Sequence, residues 1–235
     1  MGRRLIVLFL LILLASALAE VFLPRTVERG LEVGLANMLG GDPEVELRSF
    51  PALKLLLGRF DRITVDSQNV PAGRLLVDHL TSTLEDVAIN MPALLLDRTL
   101  VVERVSRQTV TLRLSEESLR RYLAEAVPGL DEHQVTLQGG VASLRGRLDL
   151  RPRAVRLGVE GGFRIDADDP SRVLYDIQRL SFDGVPVEGS FLPKLVEMLG
   201  GPEVFIDLDR SPMPLRATAV RVDAGWLIIE GQVVE

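Results

Sequence analysis

At 235 residues, 47% of them hydrophobic but only 5% aromatic, the chain can bury a substantial core built from Leu and Val rather than rings. Its formal charge of −6, which becomes more negative if a leader carrying Arg3 and Arg4 is lost, excludes the basic footprint that nucleic acid requires. The absence of Cys excludes disulfides, thiolate metal sites and cysteine nucleophiles.

Residues 1–19 carry the sharpest local pattern. Met1-Gly2-Arg3-Arg4 is a short basic start, Leu5 to Leu14 is uninterrupted and apolar, and Ala17-Leu18-Ala19 precedes Glu20. That is the order of a signal peptide. The apolar run is short of the ~20 residues of a spanning helix; a retained N-terminal anchor is the alternative. Either way the arginines stay inside. The expected product, residues 20–235, is one exported domain on the periplasmic or cell-surface side of the membrane.

Residues 24–39 read as a helix. Pro24 suits its first turn, and Val27, Leu31, Leu35, Met38 and Leu39 form one stripe at helical spacing. Gly40-Gly41 ends it. Gly30 and Gly34, one turn apart, would allow close approach to a sheet. A short apolar segment follows, Ser49-Phe50-Pro51-Ala52-Leu53-Lys54-Leu55-Leu56-Leu57-Gly58.

Beyond residue 58 the pattern changes to period two. Val110, Leu112 and Leu114 alternate with Thr109, Thr111 and Arg113. Ala142 to Leu150 and Val155 to Ile165 alternate likewise, with Arg145, Arg147 and Arg156 on the polar side. Such strands have one apolar and one wet face. Further strands are expected at 60–66, 75–89, 99–105, 173–182, 203–208, 214–223 and 226–234. A second helix fits 116–127, with Ser115 as N-cap, Glu116 and Glu117 in its first turn and Pro128-Gly129 at its end. Gly139-Gly140 and Asp223-Ala224-Gly225 read as tight turns, and Asp166 to Ser171 as a chain break. The expected fold is α+β: a long, curved antiparallel sheet wrapped around or packed on a few helices. An outer-membrane barrel also alternates, but the charge on the polar face, the interrupting helices and the lack of aromatic girdles count against one.

A second segment, Ser190-Phe191-Leu192-Pro193-Lys194-Leu195-Val196-Glu197-Met198-Leu199-Gly200, echoes the first. Both open on Ser-Phe, contain Pro, hold the chain's only lysines and close on Leu-Gly. A Lys on a short apolar helix can lie along apolar surface and keep its charge wet or near a phosphate. The candidate lipid contacts are therefore Phe50, Leu53, Leu56, Leu57, Phe191, Leu195, Met198 and Leu199, with Lys54 and Lys194 towards a head group. Two helices capping a core would have the same composition.

The leader, the amphipathic helix, the Phe50–Gly58 segment followed by Arg59-Phe60-Asp61 and a strand, and the strand–helix passage from Val110 to Leu123 resemble the LmeA-like phospholipid-binding proteins of bacteria. The resemblance implies a fold like one half of a bactericidal/permeability-increasing, or tubular lipid-binding, protein. It also implies an acyl-chain pocket and work in the cell envelope.

No catalytic constellation is legible. His79 and His133 lie outside any His-Glu-x-x-His pattern and read as solvated. No Gly-x-Ser-x-Gly elbow or phosphate loop occurs. The cluster Asp166, Asp168, Asp169 lacks the Gly and Glu of a calcium loop, and Asp207 with Asp209 reads as a solvated strand edge. The expectation is a non-enzymatic protein without cofactor or metal, partnered by phospholipid and a membrane surface; a structural or protein-interaction module of the envelope is the other reading.

Overall fold

The computed structural model describes residues 25, 27–36, 42–51, 53–72, 74–97, 99, 101–126, 130–150, 153–187, 205–210 and 214–233. The chain divides into two compact units, one of residues up to Ser67 with Thr81–Thr109, the other of Gln68–Leu80 with Val110–Glu235. Open, curved antiparallel sheets with few helices make the fold α+β, as the alternation predicts.

The first unit holds a helix α1 over 27–36, β1 (Asp42–Arg48), α2 (Leu53–Leu56), the first part of β2 (Arg59–Ala72), the last part of β3 (Leu75–Ile89), α3 (Met91–Leu96) and β4 (Val102–Arg104). Its strand order is β1-β2-β3, with β4 also on β3. Val27 and Leu31 of α1 are buried, as are Val45, Leu47, Leu55, Phe60, Ile63, Val65, Val87, Ile89, Met91 and Leu94. Glu28 ties α1 to β1 by accepting the Leu47 N–H at 3.2 Å. A Cβ on Gly30 would meet nothing within 4 Å, so close packing of α1 does not depend on that glycine.

The second unit holds the rest of β2 and β3, then β5 (Arg107–Ser115), α4 (Glu116–Ala126), β6 (Leu130–Gln138), β7 (Val141–Leu150), β8 (Arg153–Ile165), β9 (Arg172–Phe182), β10 (Val185–Pro186), β11 (Phe205–Asp207), β12 (Leu215–Asp223) and β13 (Trp226–Val233). One sheet runs β3-β5-β13-β12, the other β10-β9-β8-β7-β6 with β11 on β9. Alternate residues of both sheets meet in one aliphatic cluster that includes Val77, Leu112, Leu137, Val159, Val173, Leu215, Leu227 and Ile229. Leu119 and Leu123 of α4 join it. The tight turns fall where expected, with Gly139, Gly140 and Gly225 at φ of 60°, 82° and 77°.

Several elements differ from the sequence reading. β2 continues past residue 66 to Ala72 with its period slipped by one: Gln68 and Asn69 are both exposed, after which Val70 and Ala72 are buried again. Asn69 takes a φ of 54°, a conformation Asn tolerates better than most residues. The division between the units falls at this slip. β1 is a strand although Asp42, Pro43, Glu44 and Glu46 dilute its pattern, and α3 is a helix too short to show a period.

Two side chains fix particular joints. Asp78 accepts the Ser115 N–H at 2.7 Å and its hydroxyl at 2.9 Å, and Ser115 Oγ accepts the Ser118 N–H at 3.2 Å, capping α4. Tyr175, 3% exposed, donates its hydroxyl to the Ala142 carbonyl at 2.7 Å; burial, and then the charge of Glu160, push its phenol above the ordinary 10.0. Ser115→Ala should cost about 1 kcal/mol in urea denaturation. Because folding favours the neutral phenol, Tyr175 contributes undiminished stability below pH ~10 and loses it as pH rises further. Tyr175→Phe should therefore flatten the alkaline limb of stability against pH, and an unchanged limb would deny Tyr175 that role.

Candidate functional site

The apolar segment from Ser49 to Gly58 folds as a tight turn and one short helix. Lys54 donates its N–H to the Pro51 carbonyl at 3.0 Å, and Gly58 donates to Leu55 at 3.0 Å. Asp61, on β2, holds the segment from outside. It accepts the Phe50 N–H on Oδ2 at 2.8 Å and the Lys54 ammonium on Oδ1 at 2.9 Å. These two contacts, the backbone one first, keep its carboxyl below the ordinary range.

Gly58 then locks the segment to the end of β3, just before α3. Its carbonyl accepts the Ile89 N–H at 2.8 Å, its φ is +68°, and a Cβ there would lie 2.0 Å from the Ile89 oxygen. No other residue type fits that backbone approach. Asn90 next caps α3, its Oδ1 accepting the Ala93 N–H at 3.0 Å, and its own N–H donates to Val101 at 2.9 Å. One continuous set of backbone contacts thus gathers α2, the start of α3 and the entry to β4.

This end of the first unit exposes large apolar side chains. Phe50 is 77% exposed, Leu57 75% and Leu96 81%. Leu56, Val101 and Val102 are exposed beside them in sequence, while Leu55 between them is buried. The helix therefore uses Leu55 as its anchor and presents its neighbours to solvent. Six of the nine large apolar side chains exposed among the described residues belong to these segments. Large apolar side chains exposed in so few segments point to contact with a partner or membrane.

Of the candidate lipid contacts, Phe50, Leu56 and Leu57 are therefore on the surface, and Leu53 lies in α2. Lys54 is paired with Asp61, so its charge is already partnered. Phe191, Lys194, Leu195, Met198 and Leu199 lie outside the described residues, as does the leader. Sequence reasoning missed Leu96, the last residue of α3, and Val101 and Val102 beyond it, and did not assign Asp61 its organising part.

Elsewhere the polar candidates prove structural. His79 is not solvated but half-buried, with its ring 5.7 Å from that of Trp226, which Arg113 covers at 4.7 Å. His133 is half-buried too. Asp166 and Asp169 accept N–H groups of their own turn at 3.1 Å, and Asp207 does the same for Asp209. Among the described residues no group of three His, Asp or Glu side chains gathers to hold a metal, and no helix is long and apolar enough to cross a membrane.

In the second unit an apolar seam lies between α4 and the sheet below it, lined by Leu119, Tyr122, Leu123, Leu144, Phe163, Tyr175 and Ile206. Its cavity is ≈ 20 Å³, about the room one water needs. An acyl chain enters such a seam only if α4 lifts.

Comparison with curated proteins and with solved structures gives no match. A family model described as LmeA-like phospholipid-binding matches residues 14–232. With nearly its whole length matched, and with the apolar segment and alternating strands that suggested the likeness in place, the chain belongs to the LmeA-like phospholipid-binding family.

Proposed function

We propose that this protein is a non-enzymatic phospholipid carrier of the cell envelope, acting on the outer side of the membrane across which its leader directs it. The observation that carries the reading is the exposed set of Phe50, Leu56, Leu57, Leu96, Val101 and Val102 on backbone that is firmly held, in a chain of a phospholipid-binding family. Rigid apolar side chains at one end of a unit suit shallow insertion into a bilayer, where each large side chain contributes roughly 1.5–3 kcal/mol. The reading places the fold with the tubular lipid-binding proteins, as one half of such a protein.

The acyl chain would enter the seam beneath α4. Each buried methylene contributes about 0.8 kcal/mol, so a chain of ordinary length can offset the cost of parting α4 from the sheet. No step makes or breaks a covalent bond.

Co-sedimentation with phospholipid vesicles tests the first part. Phe50→Asp combined with Leu57→Asp should weaken binding at least about a hundred-fold, the loss of two such insertions. Val185→Asp, at an exposed apolar position of the second unit, should leave it unchanged. Equal partitioning of the double variant and wild type would remove this end from membrane contact. Leu144→Phe, which fills the seam, should lower uptake of a fluorescent phospholipid several-fold while vesicle binding persists. Wild-type protein that neither takes up that probe nor carries lipid in native mass spectrometry would refute the carrier reading.

A further inference from the structure

The polar face of the β6–β9 sheet holds a second feature, unrelated to the apolar seam. A trough of ≈ 460 Å³ is lined by Glu132, Gln134, Arg145, Arg147, Arg156, Gly158 and Ser181, among others. Strand register builds it. Arg145 faces Gly158 and Arg147 faces Arg156 across β7 and β8. Gln134 faces Arg145 from β6, and Ser181 faces Gly158 from β9. Residues two apart share a face, so two adjacent rows place three guanidiniums together.

That arrangement runs against the interest of the fold. Like charges directly opposite on neighbouring strands are destabilising. The chain is acidic overall, with 33 Asp and Glu against 27 Lys and Arg; along β8 the row continues from Arg156 and Gly158 to Glu160. Glu132 approaches Arg147 at 3.5 Å on the rim. Asp183 is engaged by the Arg156 backbone N–H at 3.0 Å. The guanidiniums of Arg145 and Arg156 have no side-chain partner among the described residues.

The floor is kept open by a missing side chain. A Cβ on Gly158 would lie 2.6 Å from Ser181 Oγ, and that hydroxyl donates to the Gly158 carbonyl at 3.3 Å. A glycine floor and three neighbouring guanidiniums suit an anion with several oxygens, since guanidinium pairs bidentately with phosphate. We propose that this trough binds a phosphate group, borne by a lipid head group or by a soluble phosphate ester. The site stands whether or not the apolar end of the first unit meets a bilayer.

Thermal-shift and calorimetric titrations of the full chain, at constant ionic strength with chloride as reference, test the proposal. The probes are inorganic phosphate and dihexanoyl phosphatidylglycerol below its micellar concentration. Saturable binding of either should raise the melting temperature. Arg145→Gln and Arg156→Gln should each weaken it about ten-fold. Arg156→Gln should at the same time raise the melting temperature of the unliganded protein, because repulsion from Arg147 is relieved; a merely structural arginine would lower it. Gly158→Val should abolish binding with every charge intact. Binding of both probes identifies the phosphate group itself as the ligand. Binding of the phosphatidylglycerol alone identifies the head group, and of inorganic phosphate alone a soluble ester. No saturable binding of either probe, binding that survives Gly158→Val, or binding indifferent to both arginine variants would overturn the site.

Discussion

A strand can bury only every second side chain, and the second unit depends on that constraint being met in two sheets at once. Val77, Leu112, Leu114, Leu227 and Ile229 from one sheet, and Leu137, Ala142, Val159 and Val173 from the other, fill a single cluster. With few rings in the chain, this interior is made of branched aliphatic side chains, which interdigitate and leave little void. The seam beneath α4, with room for about one water, is the measure of how completely they do so. The same alternation that fills the cluster obliges the intervening residues to face water, so the arginine rows of β7 and β8 are the obverse of the core.

Surface charge contributes far less. Glu117 is flanked by Arg120 and Arg121 at 2.7 and 2.9 Å, and their hydrogen bonds hold its carboxyl down at about 2. All three side chains are widely exposed, and pairs of that kind add little net stability. Asp61 differs because it fixes a backbone N–H as well as a charge. It and Gly58 together determine where Phe50, Leu56 and Leu57 stand.

Much of the architecture was legible because alternation is strong wherever one face is fully buried. The strand over Leu75–Ile89, the capped helix after Ser115 and the hairpin at Gly139-Gly140 follow from pattern and turn chemistry alone. The passages that escaped the pattern have physical reasons. β1 alternates, but Pro43 and its acidic neighbours read as a loop. Beyond the expected 60–66, β2 carries a slip at Gln68-Asn69 and the polar run Asp66 to Asn69, which hide its continuation to Ala72. The apolar end was half legible: the Leu-rich run marked it, but nothing local to residues 96–102 shows that Gly58, thirty and more positions earlier, is hydrogen-bonded beside them. The arginine trough was invisible for the same reason, since Arg147 and Arg156 become opposites only through register.

The apolar end has one further consequence, in how the protein must behave before it reaches any partner. Phe50, Leu56, Leu57 and Leu96 are held outward by a backbone pinned at Asp61, Gly58 and Asn90, and buried positions of the first unit are taken by Leu55, Phe60 and Met91 among others. They have nowhere to retract. The adhesive surface is thus permanent rather than switched: occupancy follows the amount of apolar interface on offer, and in its absence the molecules themselves become one another's interface. Retention on hydrophobic-interaction media, capture of detergent during purification and self-association that grows with concentration are the solution behaviour expected of such a surface.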